Sequence, residues 1–111
     1  MRDAFDPTMI ELLVNDIGES SAREVLQLFF RDSAEKLDML SKAGNGCTSK
    51  VAQRHAHSLK SAAAAFGFKN LSSLAQTLEA EAHGLSLGEI AARAQGLSEA
   101  LIQAQSFSRL Q

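Results

Sequence analysis

The residue in this sequence best placed to do chemistry is His57, in the segment Ala56-His57-Ser58-Leu59-Lys60. A neutral imidazole carries a lone pair on one ring nitrogen, so a histidine that other molecules can reach is a nucleophile near neutral pH. If residues 50–66 form one helix, each residue turns by about 100°. The apolar face of that helix is then Val51, His55, Leu59, Ala62 and Phe66. His57 lies on the opposite face, which predicts a solvent-facing imidazole.

The neighbours of His57 on this outer face suit an approaching anion. Lys60, at i+3, places a cation one turn away, and a cation favours phosphoryl oxygens. Ser61 and Ala64, at i+4 and i+7, are small and leave room for the surface of another protein. These residue types at this spacing favour a site that another protein approaches, and they provide what a phosphate-accepting histidine would need.

The other histidines and the single cysteine have simpler interpretations. His55 falls on the predicted apolar face, where we expect a hydrogen-bonded core or boundary residue, and His83 is a helix-end residue. His55 and His57 are two residues apart and therefore on different faces, whereas metal sites in helical bundles use ligands at i+3 or i+4. We therefore expect no metal site. Cys47 cannot form an internal disulfide, which fits a reducing compartment, and we interpret it as incidental.

Length and composition exclude several classes of protein. The chain has 111 residues, 45% of them hydrophobic, and a net charge of −2, which predicts one soluble domain, residues 1–111, with a core of about residues 5–105. No strongly basic stretch indicates nucleic-acid binding. No apolar run approaches the roughly 18–20 residues of a membrane span, and the N-terminus lacks the apolar segment of a signal peptide. We expect a cytoplasmic monomer.

Signals for helix starts and stops divide the first half of the chain. Asp6 followed by Pro7 predicts the start of a short helix through Met9, Ile10, Leu12 and Leu13 that ends near Gly18. The capping-box pattern Ser21-Ala22-Arg23-Glu24 predicts the start of a long helix that ends at Gly44-Asn45-Gly46. Apolar residues recur along this second helix at Val25, Leu28, Phe29, Leu37 and Leu40.

The second half predicts three more helices. Thr48 or Ser49 caps the histidine-bearing helix, and Gly67 ends it in a left-handed conformation. The next helix carries one apolar face and ends near Gly84, and a second capping box, Ser86-Leu87-Gly88-Glu89, opens the last helix. The predicted apolar faces of these last two helices are Phe68, Leu71, Leu74, Ala75, Leu78 and Ala82, and then Ile90, Ala91, Ala94, Leu97, Leu101 and Ile102. Short loops between amphipathic helices predict an all-α fold, an antiparallel four-helix bundle with a short additional N-terminal helix.

Residues 52–82 resemble the signature of the histidine-containing phosphotransfer (HPt) domain family. In that family an Ala-His pair is followed by an apolar residue, a lysine and a small residue, and a glycine comes ten residues after the histidine. Here these positions are Ala56-His57, Leu59, Lys60, Ser61 and Gly67. A leucine-rich stretch, Leu71 and Leu74 to Leu78-Glu79, continues the resemblance, and with Phe29-Phe30-Arg31-Asp32 upstream it extends over about residues 5–105.

The resemblance implies a phosphorelay carrier rather than an enzyme with its own kinase activity. By resemblance, His57 is the phosphorylated residue, Lys60 assists the phosphoryl group and Gly67 closes the helix. The implied partners are receiver domains of response regulators or hybrid kinases, whose phosphoaspartate donates to His57 and whose aspartate later accepts. The chain itself is expected to bind no cofactor, and magnesium belongs to the receiver.

The predicted docking surface surrounds His57 and departs from the family at one position. It consists of Ser61, Ala64 and the cations Lys50, Arg54 and Lys69. The residue after the lysine is commonly glycine in the family, and here it is Ser61. Two consequences are open: the hydroxyl hydrogen-bonds a phosphoryl oxygen, or it narrows the approach of the partner.

Two other functions are compatible with a helical fold. One is an adaptor bundle that binds partners without being phosphorylated. The other is the dimerisation hairpin of a histidine kinase, which usually has an acidic residue after its histidine, where this chain has Ser58. No Gly-rich nucleotide-binding segment is present, so transfer from ATP is not expected.

Overall fold

Helices make up almost all of the computed structural model, which describes residues 4–42 and 48–108. In these residues five α-helices and one 3₁₀ turn are present, and none forms a strand. The elements in chain order are α1 (Thr8–Ile17), α2 (Glu19–Ser41), α3 (Ser49–Ala65), α4 (Lys69–Glu81), the 3₁₀ turn Ala82–Gly84, and α5 (Leu87–Phe107). The all-α prediction, with a short N-terminal helix before four longer ones, is confirmed.

Local hydrogen bonds explain where most helices begin and end. The Asp6 carboxylate accepts the Thr8 N–H at 3.0 Å before α1, and the Thr48 hydroxyl accepts the Val51 N–H at 3.3 Å before α3. At the start of α5, Ser86 and Glu89 form the reciprocal capping box, with distances of 3.1 and 2.8 Å. The starts of α3 and α5 agree with the sequence prediction, whereas α1 begins at Thr8 and has Pro7, rather than Asp6, at its N-cap position.

The turn between α3 and α4 depends on Gly67. Its φ is +82°, and the N–H groups of Gly67 and Phe68 bond back to the carbonyls of Ala64 and Ala63 in a Schellman motif. A Cβ at position 67 would lie 2.2 Å from the Asp6 carbonyl oxygen. Gly67 therefore ends α3, as predicted, and also lets the N-terminal segment approach this turn closely.

Neighbouring helices run antiparallel. Asn70 near the start of α4 bonds Gln103 near the end of α5 at 3.1 Å, and Glu81 at the end of α4 pairs with Arg93 near the start of α5. On the other side of the bundle, the rings of Phe29 in α2 and Phe66 after α3 lie 5.1 Å apart. All six phenylalanines of the protein belong to one connected cluster of ring contacts near the α3–α4 turn: Phe5, Phe29, Phe30, Phe66, Phe68 and Phe107.

The start of α2 differs from the prediction. The helix begins at Glu19, and no side chain caps it, so the capping box predicted at Ser21 is wrong. Gly18, with φ +86°, turns the chain sharply, and its carbonyl accepts the Ala22 N–H at 3.0 Å. Ser21 therefore lies inside the first helical turn. The predicted loop Gly44-Asn45-Gly46 and Cys47 lie outside the described residues.

The buried face of α3 is rotated from the predicted one, whereas most of the apolar positions predicted for α4 and α5 are buried as predicted. The buried residues of α3 are Ala52, Ala56, Leu59 and Ala63, whereas Val51, His55, Ala62 and Phe66 are only partly buried. This rotation follows from packing, because α3 makes its most extensive contact with α4 and its alanines allow the two helices to approach. Six residues of the predicted apolar patterns are instead exposed: Met9, Leu12, Val25, Leu28, Leu74 and Ile102, the last with 65% of its surface accessible.

Candidate functional site

His57 lies on the exposed side of α3, as predicted. Its side chain is 60% accessible to solvent. The ring atom Nδ1 lies 2.6 Å from Oε2 of Glu79, which α4 supplies from 22 residues further along the chain. Nε2 makes no hydrogen bond to any of the described residues.

Glu79 also binds Lys60. The Lys60 Nζ lies 2.6 Å from Oε1 of Glu79, so one carboxylate bridges a histidine and a lysine that are one turn apart on α3. The side chains of Lys60 and Glu79 are 29% and 23% accessible, so both are more sheltered than His57. Lys60 therefore lies beside His57, as predicted, but it is only partly exposed because its ammonium contacts Glu79 of α4.

The charge state of Glu79 determines the tautomer of His57. Hydrogen bonds from Lys60 and, second, from His57 hold the pKa of the Glu79 carboxyl below its ordinary value of 4.5. A carboxylate without a proton can only accept hydrogen bonds, so Nδ1 must carry the hydrogen in this contact. The neutral imidazole then has its lone pair on Nε2, the ring atom left without a partner.

Glu79 is the functional residue that sequence reasoning missed. The pair Leu78-Glu79 was noted only as part of a pattern, and no prediction gave the carboxylate a role. The helical spacing from Ser72 to Glu79 places both on one side of α4, but only the packing of α3 on α4 shows that this side meets His57. The spacing on α4 could have indicated that Ser72 and Glu79 share a face. The sequence did not indicate that α3 packs against that face.

The predicted docking residues share one face of α3 with His57. Lys50, Arg54, Ser61 and Ala64 are all exposed and follow the i, i+4, i+7 spacing of a helical stripe. Lys69 is exposed at the start of α4, where it borders a cleft with Ala64 and Gly67. None of the three cations forms a salt bridge with another described residue.

An apolar groove borders this stripe on the side of α2. It has a volume of about 260 Å³, and its lining includes the exposed Val25 and Leu28 of α2 and the partly buried Ala62 of α3. The charged residues Asp32 and Lys36 of α2 also line it. The surface around His57 therefore combines a polar stripe with an adjoining apolar groove.

His55 lies in a different environment from His57. It is partly buried on the side of α3 that faces α2, and its Nε2 is buried without a hydrogen-bond partner, so the expected hydrogen bond is absent at that atom. Burial first, and then the charges of Lys36 and Arg54, lower the pKa of His55 below its ordinary value of 6.5. His83 is exposed in the 3₁₀ turn just beyond the end of α4, rather than in its last turn.

The described residues contain neither a metal-binding cluster nor a membrane-spanning helix. Within residues 4–42 and 48–108, no three His, Cys, Asp or Glu side chains cluster in a way that could hold a metal ion. Over the same residues, no helix combines the length and apolar character that a membrane crossing requires.

The fold and the site together define a class of protein: an antiparallel helical bundle that presents an exposed histidine on an open helix face. A family model for the Hpt domain matches residues 24–107, which is most of the chain, and the chain belongs to the Hpt domain family. Members of this family are phosphotransfer carriers of phosphorelays rather than kinases. Comparison with curated proteins and with solved structures gave no match.

Proposed function

We propose that this protein carries a phosphoryl group on His57 between two receiver domains. The observation that supports the proposal is the contact of His57 Nδ1 with the ionised Glu79, which leaves Nε2 of an exposed ring as the nucleophile. Family membership supplies the chemistry: a receiver phosphoaspartate is the donor, and an aspartate of another receiver is the acceptor.

The transfer can proceed without moving a proton. Nε2 of the neutral imidazole attacks phosphorus, the P–N bond forms, and the P–O bond to the donor aspartate breaks to leave a carboxylate. The ring now carries the phosphoryl group on Nε2 and the hydrogen on Nδ1, and its positive charge faces the Glu79 carboxylate. In the second transfer an acceptor carboxylate attacks phosphorus, and the imidazole leaves as the same neutral tautomer.

Lys60 has two roles in this proposal. Its contact with Glu79 keeps that carboxylate ionised and oriented toward His57. An ammonium has three N–H donors, so Lys60 can also donate to a phosphoryl oxygen on Nε2 one turn away. Lys60 can therefore both assist the phosphoryl group, as the family resemblance implies, and orient Glu79, as its contact in the structure indicates.

The receiver docks on the face of α3 that carries His57. Ser61 and Ala64 are small and leave room for the partner next to His57, and the exposed cations Lys50, Arg54 and Lys69 complement an acidic partner surface. The apolar groove formed by Val25, Leu28 and Ala62 offers area for burial beside the stripe. Gly67 has a structural role, because it fixes the turn that sets α4 against α3.

We further propose that the chain acts as a cytoplasmic monomer with no kinase activity of its own. The receiver is expected to supply magnesium and the other groups that stabilise the transferring phosphoryl group. The carrier contributes position and a nucleophile.

The test is transfer from a phosphorylated receiver domain, with magnesium, to the wild type, His57→Gln and His55→Gln. We expect the wild type and His55→Gln to acquire the phosphoryl label to the same extent. We expect His57→Gln to acquire none. Label that persists on His57→Gln would contradict the proposal. A wild type that binds receivers but is never labelled would instead support the adaptor function.

A further inference from the structure

Two hydrogen bonds cross between α3 and α4 on either side of the Glu79 carboxylate. Nε2 of Gln53, in α3, donates to the backbone oxygen of Glu79 at 3.3 Å. Oγ of Ser72, in α4, donates to the backbone oxygen of Lys60 at 2.9 Å. Each helix thus holds the backbone of the other, and the two backbone groups belong to the partners of the Lys60–Glu79 ion pair.

We infer that Gln53 and Ser72 are positioning residues that set the register of α4 on α3 for the Glu79–His57 contact. This inference rests on the proposed role of His57. The Glu79 carboxylate meets two donors at 2.6 Å, and hydrogen bonds tolerate errors of only a few tenths of an ångström. A small slide or rotation of α4 therefore separates the carboxylate from Nδ1.

The apolar contact between these helices constrains the register weakly. Three of the four buried residues of α3 are alanines, and α4 contributes Ala75 between its two buried leucines. Alanine surfaces allow close approach but provide few large side chains that interlock. The hydrogen bonds from Ser72 and Gln53 to the backbones of Lys60 and Glu79 are directional, so they constrain the register of the two helices more than the alanines do.

Three substitutions test this role, with one matched control. Gln53→Met and Ser72→Ala each remove a donor with little change in shape, and Ser72→Thr keeps the hydroxyl. Thr77→Val is the control, because the Thr77 hydroxyl donates only within α4, to the Ser73 carbonyl at 3.1 Å. Gln53 is exposed, so its substitution leaves the fold intact even if Ser72→Ala does not.

The first measurement is the tautomer of His57 in the unphosphorylated protein, from the ¹⁵N shifts of its ring. The wild type, Ser72→Thr and Thr77→Val should hold the hydrogen on Nδ1, whereas Gln53→Met and Ser72→Ala should show a mixture of tautomers. The second measurement is the rate of phosphorylation by phosphoramidate, which should fall about three- to tenfold in those two variants, as loss of one hydrogen bond implies.

The outcomes separate this inference from the proposed function. Wild-type tautomer and wild-type rate in both Gln53→Met and Ser72→Ala would overturn the positioning role. If the tautomer shifts in these variants while the wild type accepts no phosphoryl group from phosphoramidate or from a receiver, the positioning role stands and the carrier function fails.

Discussion

Nδ1 of His57 lies 2.6 Å from Oε2 of Glu79, although the two residues are 22 positions apart and on different helices. The contact assigns different tasks to the two ring nitrogens. Nδ1 is held by an ionised acceptor, and Nε2 has no hydrogen-bond partner among the described residues, so we propose Nε2 as the nucleophile. In the proposed transfer the hydrogen stays on Nδ1 before and after phosphorylation, so neither direction of transfer requires a proton to move.

Replacing Glu79 by glutamine should slow transfer to His57 by roughly tenfold or more, as expected for loss of a group that prepares a nucleophile. A glutamine amide can donate as well as accept, so it no longer fixes the hydrogen on Nδ1. The measurement is the initial rate of transfer from a phosphorylated receiver. Glu81→Gln is the matched control, since Glu81 pairs with Arg93 and not with His57. Equal rates in the two variants would contradict the role of Glu79.

Replacing Ser61 by phenylalanine should block docking without unfolding α3, because the side chain is exposed one turn from His57. We expect transfer from a receiver to fall by roughly tenfold or more, since small misplacements of reacting groups are costly. Phosphoramidate is small enough to reach Nε2, so phosphorylation by it should persist. Helicity is checked by circular dichroism. Unchanged transfer from the receiver would show that this face is not the docking surface.

Two glycine-to-alanine substitutions should change stability in opposite directions. Gly67→Ala forces a side chain into φ +82° and against the Asp6 carbonyl, so the free energy of unfolding should fall by at least about 1–2 kcal/mol. Gly96 lies inside α5, and an added Cβ there meets no atom within 4 Å. Gly96→Ala should raise the free energy of unfolding by about 0.5–1 kcal/mol. Urea unfolding measures both changes, and stabilisation by Gly67→Ala would contradict the account of the turn.

The lowered pKa of His55 predicts a loss of stability in acid. The unfolded chain takes up a proton at His55 as the pH falls through 6.5, whereas the folded protein resists that proton until a lower pH. Stability attributable to this residue is therefore complete above pH 6.5 and decreases below it. Lys36 of α2 and Arg54 of α3 are the charged groups that oppose the protonated form.

Unfolding measured at pH 7.5 and pH 5.5 tests this prediction. His55→Leu removes the titrating ring, so its loss of stability between the two pH values should be smaller than that of the wild type. The difference between the two proteins isolates His55 from the carboxylates that also titrate. Equal losses in both proteins would show that His55 does not contribute.

Local signals predicted most of the fold. The caps at Thr48 and Ser86 and the turn at Gly67 depend on hydrogen bonds between residues three to five positions apart, so the local sequence was enough to predict them. The predicted start of α2 was wrong because the helix follows Gly18 directly and has no side-chain cap. Leu74 and Ile102 follow the helical spacing of apolar residues, yet both are exposed. Whether such a residue is buried depends on whether a neighbouring helix covers it.

The sequence predicted only the part of the candidate site that lies on α3. The spacing of His57, Ser61 and Ala64 places them on the exposed face of α3, and the structure agrees. The position of Lys60 and the contribution of Glu79 depend on how α4 packs on α3, which is a tertiary relationship. That is why neither the partial burial of Lys60 nor its contact with Glu79 was predicted.

The most direct test of the central claim is to locate the phosphoryl group on the protein. NMR of the phosphorylated, ¹⁵N-histidine-labelled chain can detect the coupling between phosphorus and the ring nitrogen that it binds. We expect coupling to Nε2 of His57, with the hydrogen still on Nδ1. Coupling to Nδ1 of His57, or to a nitrogen of His55 or His83, would contradict the claim that Glu79 leaves Nε2 of His57 as the nucleophile.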